Sequence, residues 1–179
     1  MPTYVVLLRA VNVGGRVMRM DAARSVLEQH SFANVASHIQ SGNLLLTTSL
    51  RSPAKVESAV GECLSDAAGF DILAMARRPD EVKALVTSVD GIPAAFPGEV
   101  QRYVAFCRHD VPAESRALLQ DWRQPGERAH VLGKDVVVEL AKSFNEARLV
   151  NAQVEKIIGG PATMRNITVV RTLAEKWSG

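Results

Sequence analysis

The chain has 179 residues, of which 47% are hydrophobic and 22% charged, with a formal charge of +2. This is an ordinary globular composition, long enough for one domain or two small ones sharing a core. No apolar run reaches the roughly 20 residues of a membrane span, and a net charge this small implies no polyanionic partner by itself.

Tyr4 to Val11 is a near-continuous apolar run of strand length, broken by Arg9. It passes directly from the start of the chain, which is not the pattern of a secretory signal. Met20, Ala23, Val26 and Leu27 then recur at helical spacing, with Asp21 in the first turn. Val35–Ile39 and Leu44–Thr48 read as two short strands, with Ser41-Gly42 as a tight hairpin between them. Ser52-Pro53 is a cap followed by proline at the first helical position; that helix runs to about Ala68 and stops at Gly69. Asp71–Ala76 is a strand, and Pro79 opens a helix that fades before Gly91.

Pro93–Gly98 is the linker candidate. Beyond it, Val100–Cys107 is a strand and Ala113–Trp122 a helix. Arg128–Leu132 and Asp135–Leu140 are strands joined across Gly133-Lys134. A helix from about Ala147 to Ile158 ends at Gly159-Gly160-Pro161. A last helix follows, carried by Val170, Leu173, Ala174 and Trp177, where the first half has a strand.

The order is therefore that of an α+β protein with two ferredoxin-like, βαββαβ-type halves, residues 1–92 and 99–179, the second incomplete with extra C-terminal helices. The runs Val5-Val6-Leu7-Leu8, Leu44-Leu45-Leu46 and Val136-Val137-Val138 do not alternate, so both faces of those strands should be covered. Either the halves pack together as one compact unit or a second copy of the chain helps; a homodimer stays open.

In a βαββαβ unit with sheet order 4-1-3-2, strand one ends beside the turn between strands two and three. That juxtaposes two polar glycine turns, Arg9-Ala10-Val11-Asn12-Val13-Gly14-Gly15-Arg16 and Gln40-Ser41-Gly42-Asn43. Gly14, Gly15 and Gly42 can expose main-chain amides to a ligand. Arg9 and Arg16 could clasp a carboxylate or phosphate, and Asn12, Gln40, Ser41 and Asn43 offer donors and acceptors. The alternative role of the same residues is to satisfy the turns themselves. The turns also lie in sequence without acids: residues 1–20 hold Arg9, Arg16 and Arg19, and residues 29–56 hold Arg51 and Lys55.

The segments Val6-Leu7-Leu8-Arg9-Ala10-Val11-Asn12-Val13-Gly14-Gly15 and His38-Ile39-Gln40-Ser41-Gly42-Asn43 resemble the hallmark of an uncharacterised, mainly bacterial family, domain of unknown function 1697. Gly160-Pro161-Ala162-Thr163-Met164-Arg165-Asn166-Ile167-Thr168-Val169-Val170 resembles its C-terminal motif. The resemblance implies an α+β fold of ferredoxin-like parts and no established activity, cofactor or catalytic residue. The chain departs from the family pattern at Ala10, where glycine is usual, at His38, where an aromatic is usual, and at Ile167-Thr168, where Trp-Asn is usual. Arg165 and Asn166 become candidates for a third part of the site; their structural alternative is the start of the last helix, with Asn166 as its cap.

Other chemistry finds little support. His30, His38, His109 and His130 are scattered without metal-ligand spacing, so no metal is expected. Strand alternation would place His38 on one face with Gln40, near Arg9, where its charged form is disfavoured. Gly14-Gly15 is not a dinucleotide fingerprint, no P-loop is present and Ser41 is not in a GxSxG elbow, so no cofactor is implied and no reaction is named. Cys63 and Cys107 lack CxxC spacing and read as small buried hydrophobes in a reducing cytoplasm rather than a disulfide. The expectation is a cytoplasmic protein that holds a small polar or anionic ligand at the joined turns; whether it is an enzyme stays open. The alternatives are a nucleic-acid-binding module using a basic sheet edge, which lacks stacking aromatics, and a non-enzymatic assembly protein.

Overall fold

A computed structural model describes residues 1–177 of the chain. The elements follow in the order β1 (Thr3–Arg9), α1 (Met20–Gln29), β2 (Ala33–His38), β3 (Asn43–Thr47), α2 (Pro53–Ala68), β4 (Leu73–Arg77) and α3 (Pro79–Asp90). Then come β5 (Gln101–Cys107), α4 (Ala113–Gln120), β6 (Glu127–Leu132), β7 (Asp135–Leu140), a 3₁₀ turn (Phe144–Glu146), α5 (Asn151–Ile158), β8 (Ala162–Asn166) and α6 (Ile167–Trp177). The protein is α+β, with two four-stranded antiparallel sheets ordered β2-β3-β1-β4 and β6-β7-β5-β8. The described residues divide into two compact units: Met1–Val82 with Lys176 and Trp177, and Lys83–Glu175. No helix among the described residues is long and apolar enough to cross a membrane.

In the first unit, the register Val6↔Leu44 and Val6↔Ala76 gathers Tyr4, Val6, Leu8, Leu44, Leu46, Ala74 and Ala76 on one face. Against it lie Met20, Ala23 and Leu27 of α1 and Val56, Val60 and Leu64 of α2. These six fall at helical spacing, which is why the two segments fold as amphipathic helices on one side of the sheet. Val5, Leu7 and Met75, on the other face, are fully buried as well. The unbroken apolar run of β1 thus matches a strand covered on both faces. The second unit repeats the arrangement. Ala105, Cys107, Val136, Val138 and Leu140 pack with Leu119, Val154 and Ile158, and Val104, Phe106 and Val137 are buried on the opposite face.

Two expectations need correction. The second half is not incomplete: Ala162–Asn166 forms β8, which pairs antiparallel with β5 from Cys107↔Ala162 to Tyr103↔Asn166. The extra helix follows this strand instead of replacing it. The segment Ala-Thr-Met-Arg-Asn lacks the apolar run of a central strand because β8 lies at a sheet edge, where the ladder to β5 forms on one side only. Helix α5 also begins later than Ala147, at Asn151, after the 3₁₀ turn. The turn Gly133-Lys134 has the expected form, two residues between Leu132 and Asp135 with Gly133 at φ +57°.

The second unit is tied together by a buried carboxylate. Glu127, at the start of β6, accepts hydrogen bonds from Trp122 Nε1 (3.0 Å), Lys142 Nζ (3.0 Å) and the main-chain N–H groups of Arg148 (2.8 Å) and Leu149 (3.0 Å). Burial by itself would raise its pKa, but these donors outweigh burial and hold the carboxyl below the usual range. A folded-state pKa below the unfolded one adds stability that is present above the unfolded value, about 4.3 for glutamate. That stability is lost as pH falls through the folded pKa. Glu127→Gln should cost about 3 kcal/mol at neutral pH, because a buried, multiply bonded charge is removed and Lys142 is left facing an amide. Urea melts at pH 7 and pH 4 should show a smaller acid-induced loss in Glu127→Gln than in the wild type; equal losses would contradict this role.

Candidate functional site

The two glycine turns meet. β1, β2, β3 and β4 place the end of β1, the end of β2, the start of β3 and the start of β4 at one end of the first sheet, with Leu7↔Asn43, His38↔Asn43 and Arg9↔Leu73 as the last pairs. Leu8 N–H donates to Gly42 O (2.8 Å). A Cβ on Gly42 would come within 2.7 Å of Val11 Cγ2 and 2.8 Å of Leu8 Cβ, and its φ is +87°. Glycine is required there twice over, by contact and by backbone conformation.

Asn12 stitches the rim. Its Oδ1 accepts from Met18 N–H (2.9 Å), and its Nδ2 donates to Met18 O (3.0 Å) and to Gln40 O. Gln40 Oε1 accepts from Met20 N–H (3.2 Å), the first residue of α1. Asn43 is fully buried and donates to His38 O and Ser41 Oγ, each at 3.0 Å. These side chains therefore hold the turns, so the structural alternative raised for them is part of what they do.

The backbone is strained at the same rim. Ala10 (φ +59°), Asn12 (φ +57°) and Ile39 (φ +52°) are all left-handed without being glycine. Asparagine tolerates this conformation, alanine less well, and a β-branched residue such as Ile39 is a marked outlier. Ala10 ends β1 at Arg9, two residues before the apolar run stops. Ile39 ends β2 at His38, leaving four residues in the turn instead of a tight pair, so strand alternation does not carry from His38 to Gln40.

Between Asn12 and Arg16 the chain makes a small reverse hairpin. Asn12 N–H donates to Arg16 O (2.7 Å) and Arg16 N–H to Val13 O (3.1 Å). Gly14 (φ +56°) and Gly15 (φ +81°) form its tip with nothing near their Cβ positions, which matches the positive angles of a type I′ turn. Arg16 is exposed and its guanidinium has no partner among the described residues. Arg9 is half-buried at the end of β1.

Arg165 and Asn166 lie in the second unit, at the end of β8. Arg165 is buried and donates to Thr163 Oγ1 (2.8 Å) and Met164 O (3.0 Å); burial lowers its pKa to about 10, which leaves it charged at neutral pH. Asn166 Oδ1 accepts from Thr168 N–H (2.8 Å), the geometry of an N-cap on α6.

Among the described residues no group of three or more His, Cys, Asp or Glu side chains gathers as metal ligands. Cys63 and Cys107 are free thiols, and burial raises the pKa of Cys63, which lowers its thiolate fraction.

Two substitutions at the rim should act in opposite directions. Ala10→Gly should raise stability by roughly 0.5–1 kcal/mol by relieving the left-handed alanine. Gly42→Ala should lower it by roughly 2–4 kcal/mol through backbone strain added to the clash with Leu8 and Val11. Thermal melts of both variants check the signs; a stabilised Gly42→Ala would mean the two turns do not close on each other.

Among curated proteins nothing matches this chain. Among solved structures it is similar to the conserved bacterial protein SP0830 from Streptococcus pneumoniae, with a TM-score of 0.71 and 19% identity over 100% of this chain and 99% of that one. That likeness concerns the fold alone. The family model described as "Protein of unknown function (DUF1697)" matches residues 1–137, which include both glycine turns and stop short of the 160–170 segment. The chain belongs to the DUF1697 family of proteins of unknown function.

Proposed function

We propose that the joined turns are a recognition rim for a small polar or anionic ligand, within two units that we read as ferredoxin-like from their βαββαβ order and sheet pairing. One observation carries the reading. Three non-glycine residues are held in the left-handed region at a single sheet end, around a glycine tip that is open to solvent. Such residues cost on the order of 1–3 kcal/mol, less for Asn12, and strain of this kind collects at binding sites.

The roles divide within the rim. Asn12, Gln40 through its carbonyl, Ser41, Gly42 and Asn43 set the shape. Arg16, the main-chain amides around Gly14 and Gly15, and the Gln40 amide nitrogen are the groups available to a ligand. Arg16 supplies a planar donor fork suited to carboxylate or phosphate. Arg9 supports the same end of the sheet. Arg165 and Asn166 belong to this reading only as residues that build β8 and start α6.

The small-ligand reading is favoured over nucleic-acid binding because the aromatic on β1, Tyr4, is fully buried and offers no stacking face for a base.

Thermal-shift screening against inorganic phosphate, nucleotides and dicarboxylates tests the proposal. A ligand present at about 100 times its Kd should raise the melting temperature by roughly 2–4 °C. Arg16→Ala should erase that rise while leaving the ligand-free melting temperature within about 1 °C, because the side chain is exposed and unpaired. A ligand whose shift survives Arg16→Ala binds elsewhere, and a screen without any shift removes the support for the rim.

A further inference from the structure

We propose that the opposite end of the first sheet carries a second site, for a small molecule bearing a phosphate or carboxylate on a short apolar skeleton. The proposal is independent of the rim: β1 begins, β3 ends and β4 ends there, so the two sites occupy opposite ends of one sheet.

A cleft of about 390 Å³ opens at this end, lined by Met1, Pro2, Ser49, Arg51 and Arg78. The volume falls in the lower part of the range that small ligands occupy. Its walls are fixed from several directions. Thr48 N–H donates to Pro2 O (3.0 Å), Tyr4 Oη donates to Leu50 O (3.2 Å), and Leu50 N–H donates to Thr48 Oγ1 (3.3 Å). The Arg78 guanidinium lies 4.6 Å from the centroid of the buried Tyr4 ring. Stacking engages the face of a guanidinium and leaves its N–H edge for hydrogen bonds.

The charge at the cleft is unbalanced. No acid lines it, and the guanidinium groups of Arg51 and Arg78 have no carboxylate partner among the described residues. Asp80, in the first turn of α3, is exposed and does not line the cleft, and two other nearby acids are committed. Glu81 accepts from the main-chain N–H of Arg78 (2.6 Å), as the third helical residue of a capping box does. Glu57 accepts from Ala76 N–H (2.9 Å) and faces the buried Arg77 at 3.9 Å. The first turn of α2, which starts two residues beyond Arg51, carries no acid. Both acid-free stretches of the sequence, residues 1–20 and 29–56, contribute to the lining.

Two unpaired guanidinium groups in one preformed cleft match an oxyanion that accepts several charged hydrogen bonds. The Ser49 hydroxyl adds a further donor, and the Met1 and Pro2 side chains give the lining its apolar part.

The test is a titration of the ¹⁵N-labelled full chain at low ionic strength with three probes: inorganic phosphate, phenyl phosphate and benzoate. The expected result is saturable shifts of the Ser49, Leu50, Arg51 and Arg78 amides, with phenyl phosphate binding more tightly than inorganic phosphate. The relative strength of phenyl phosphate and benzoate assigns the oxyanion as phosphate or carboxylate. The Gly14 and Gly15 amides report the rim in the same spectra, so failure of either site is seen separately. Arg51→Ala should weaken binding roughly tenfold or more with an otherwise unchanged spectrum, and Arg78→Lys should also weaken it despite keeping the charge. Should Arg78→Lys disturb the fold through Tyr4, the exposed Arg51→Ala variant decides alone. Absence of saturable shifts at the cleft, or affinity unaltered by Arg51→Ala, would overturn the proposal.

Discussion

The first unit depends on the closure of one sheet end by the Asn12 carboxamide. It joins the loop after β1 to the approach to α1 at Met18 and, 28 residues along the chain from Asn12, to the turn after β2 at Gln40. Its hydrogen bonds replace water contacts that these main-chain groups would otherwise need, since unpaired polar groups near a core are costly. Gly42 completes the closure by letting the second turn lie against Leu8 and Val11. Without that approach, β3 could not keep its register with β1 up to Asn43.

This arrangement changes what a polar motif signifies. Asn12, Gln40 and Asn43 attract notice in the sequence as ligand-binding types, yet their amide groups are largely spent on main chain. The groups left over are less conspicuous: one exposed arginine and the amides of a glycine tip. Polar residues that shape a site and polar residues that touch its ligand are chemically alike, and only their partners distinguish them. Cations show the same division. Arg77 faces Glu57 in the interior, whereas its neighbour Arg78 stacks on Tyr4 and lines a cleft. Adjacent arginines on one strand end thus serve packing and surface chemistry respectively.

Strain and satisfaction coexist at the rim. A hydrogen-bonded network can hold Ala10 and Ile39 in unfavourable backbone angles because the surrounding core over-determines their positions. The resemblance noted from sequence, in which glycine is usual where Ala10 stands, acquires a physical reason here, since glycine adopts φ near +59° without cost.

Much of the fold was legible in the chain. Helical periodicity marked α1 and α2, Ser52-Pro53 and Gly69 bounded α2, Gly133-Lys134 marked a two-residue hairpin, and unbroken apolar runs announced strands buried on both faces. The order of the first sheet, and with it the meeting of the two turns, followed from the βαββαβ sequence of elements. These features are local or follow from connectivity, and so leave a trace in residue spacing. Strand β8 left none, because an edge strand is defined by its ladder to β5 and not by its own apolar pattern. The same holds for the left-handed turn at Ile39, the hydrogen-bond partners of Asn12, and the gathering of Ser49, Arg51 and Arg78 around one cleft. The sequence by itself determined the helices and the strands other than the edge strand β8, and which turns are neighbours. Only the tertiary structure decided which polar groups are consumed in holding those turns and which remain exposed, because hydrogen-bond satisfaction depends on distances between residues that sequence separation does not encode.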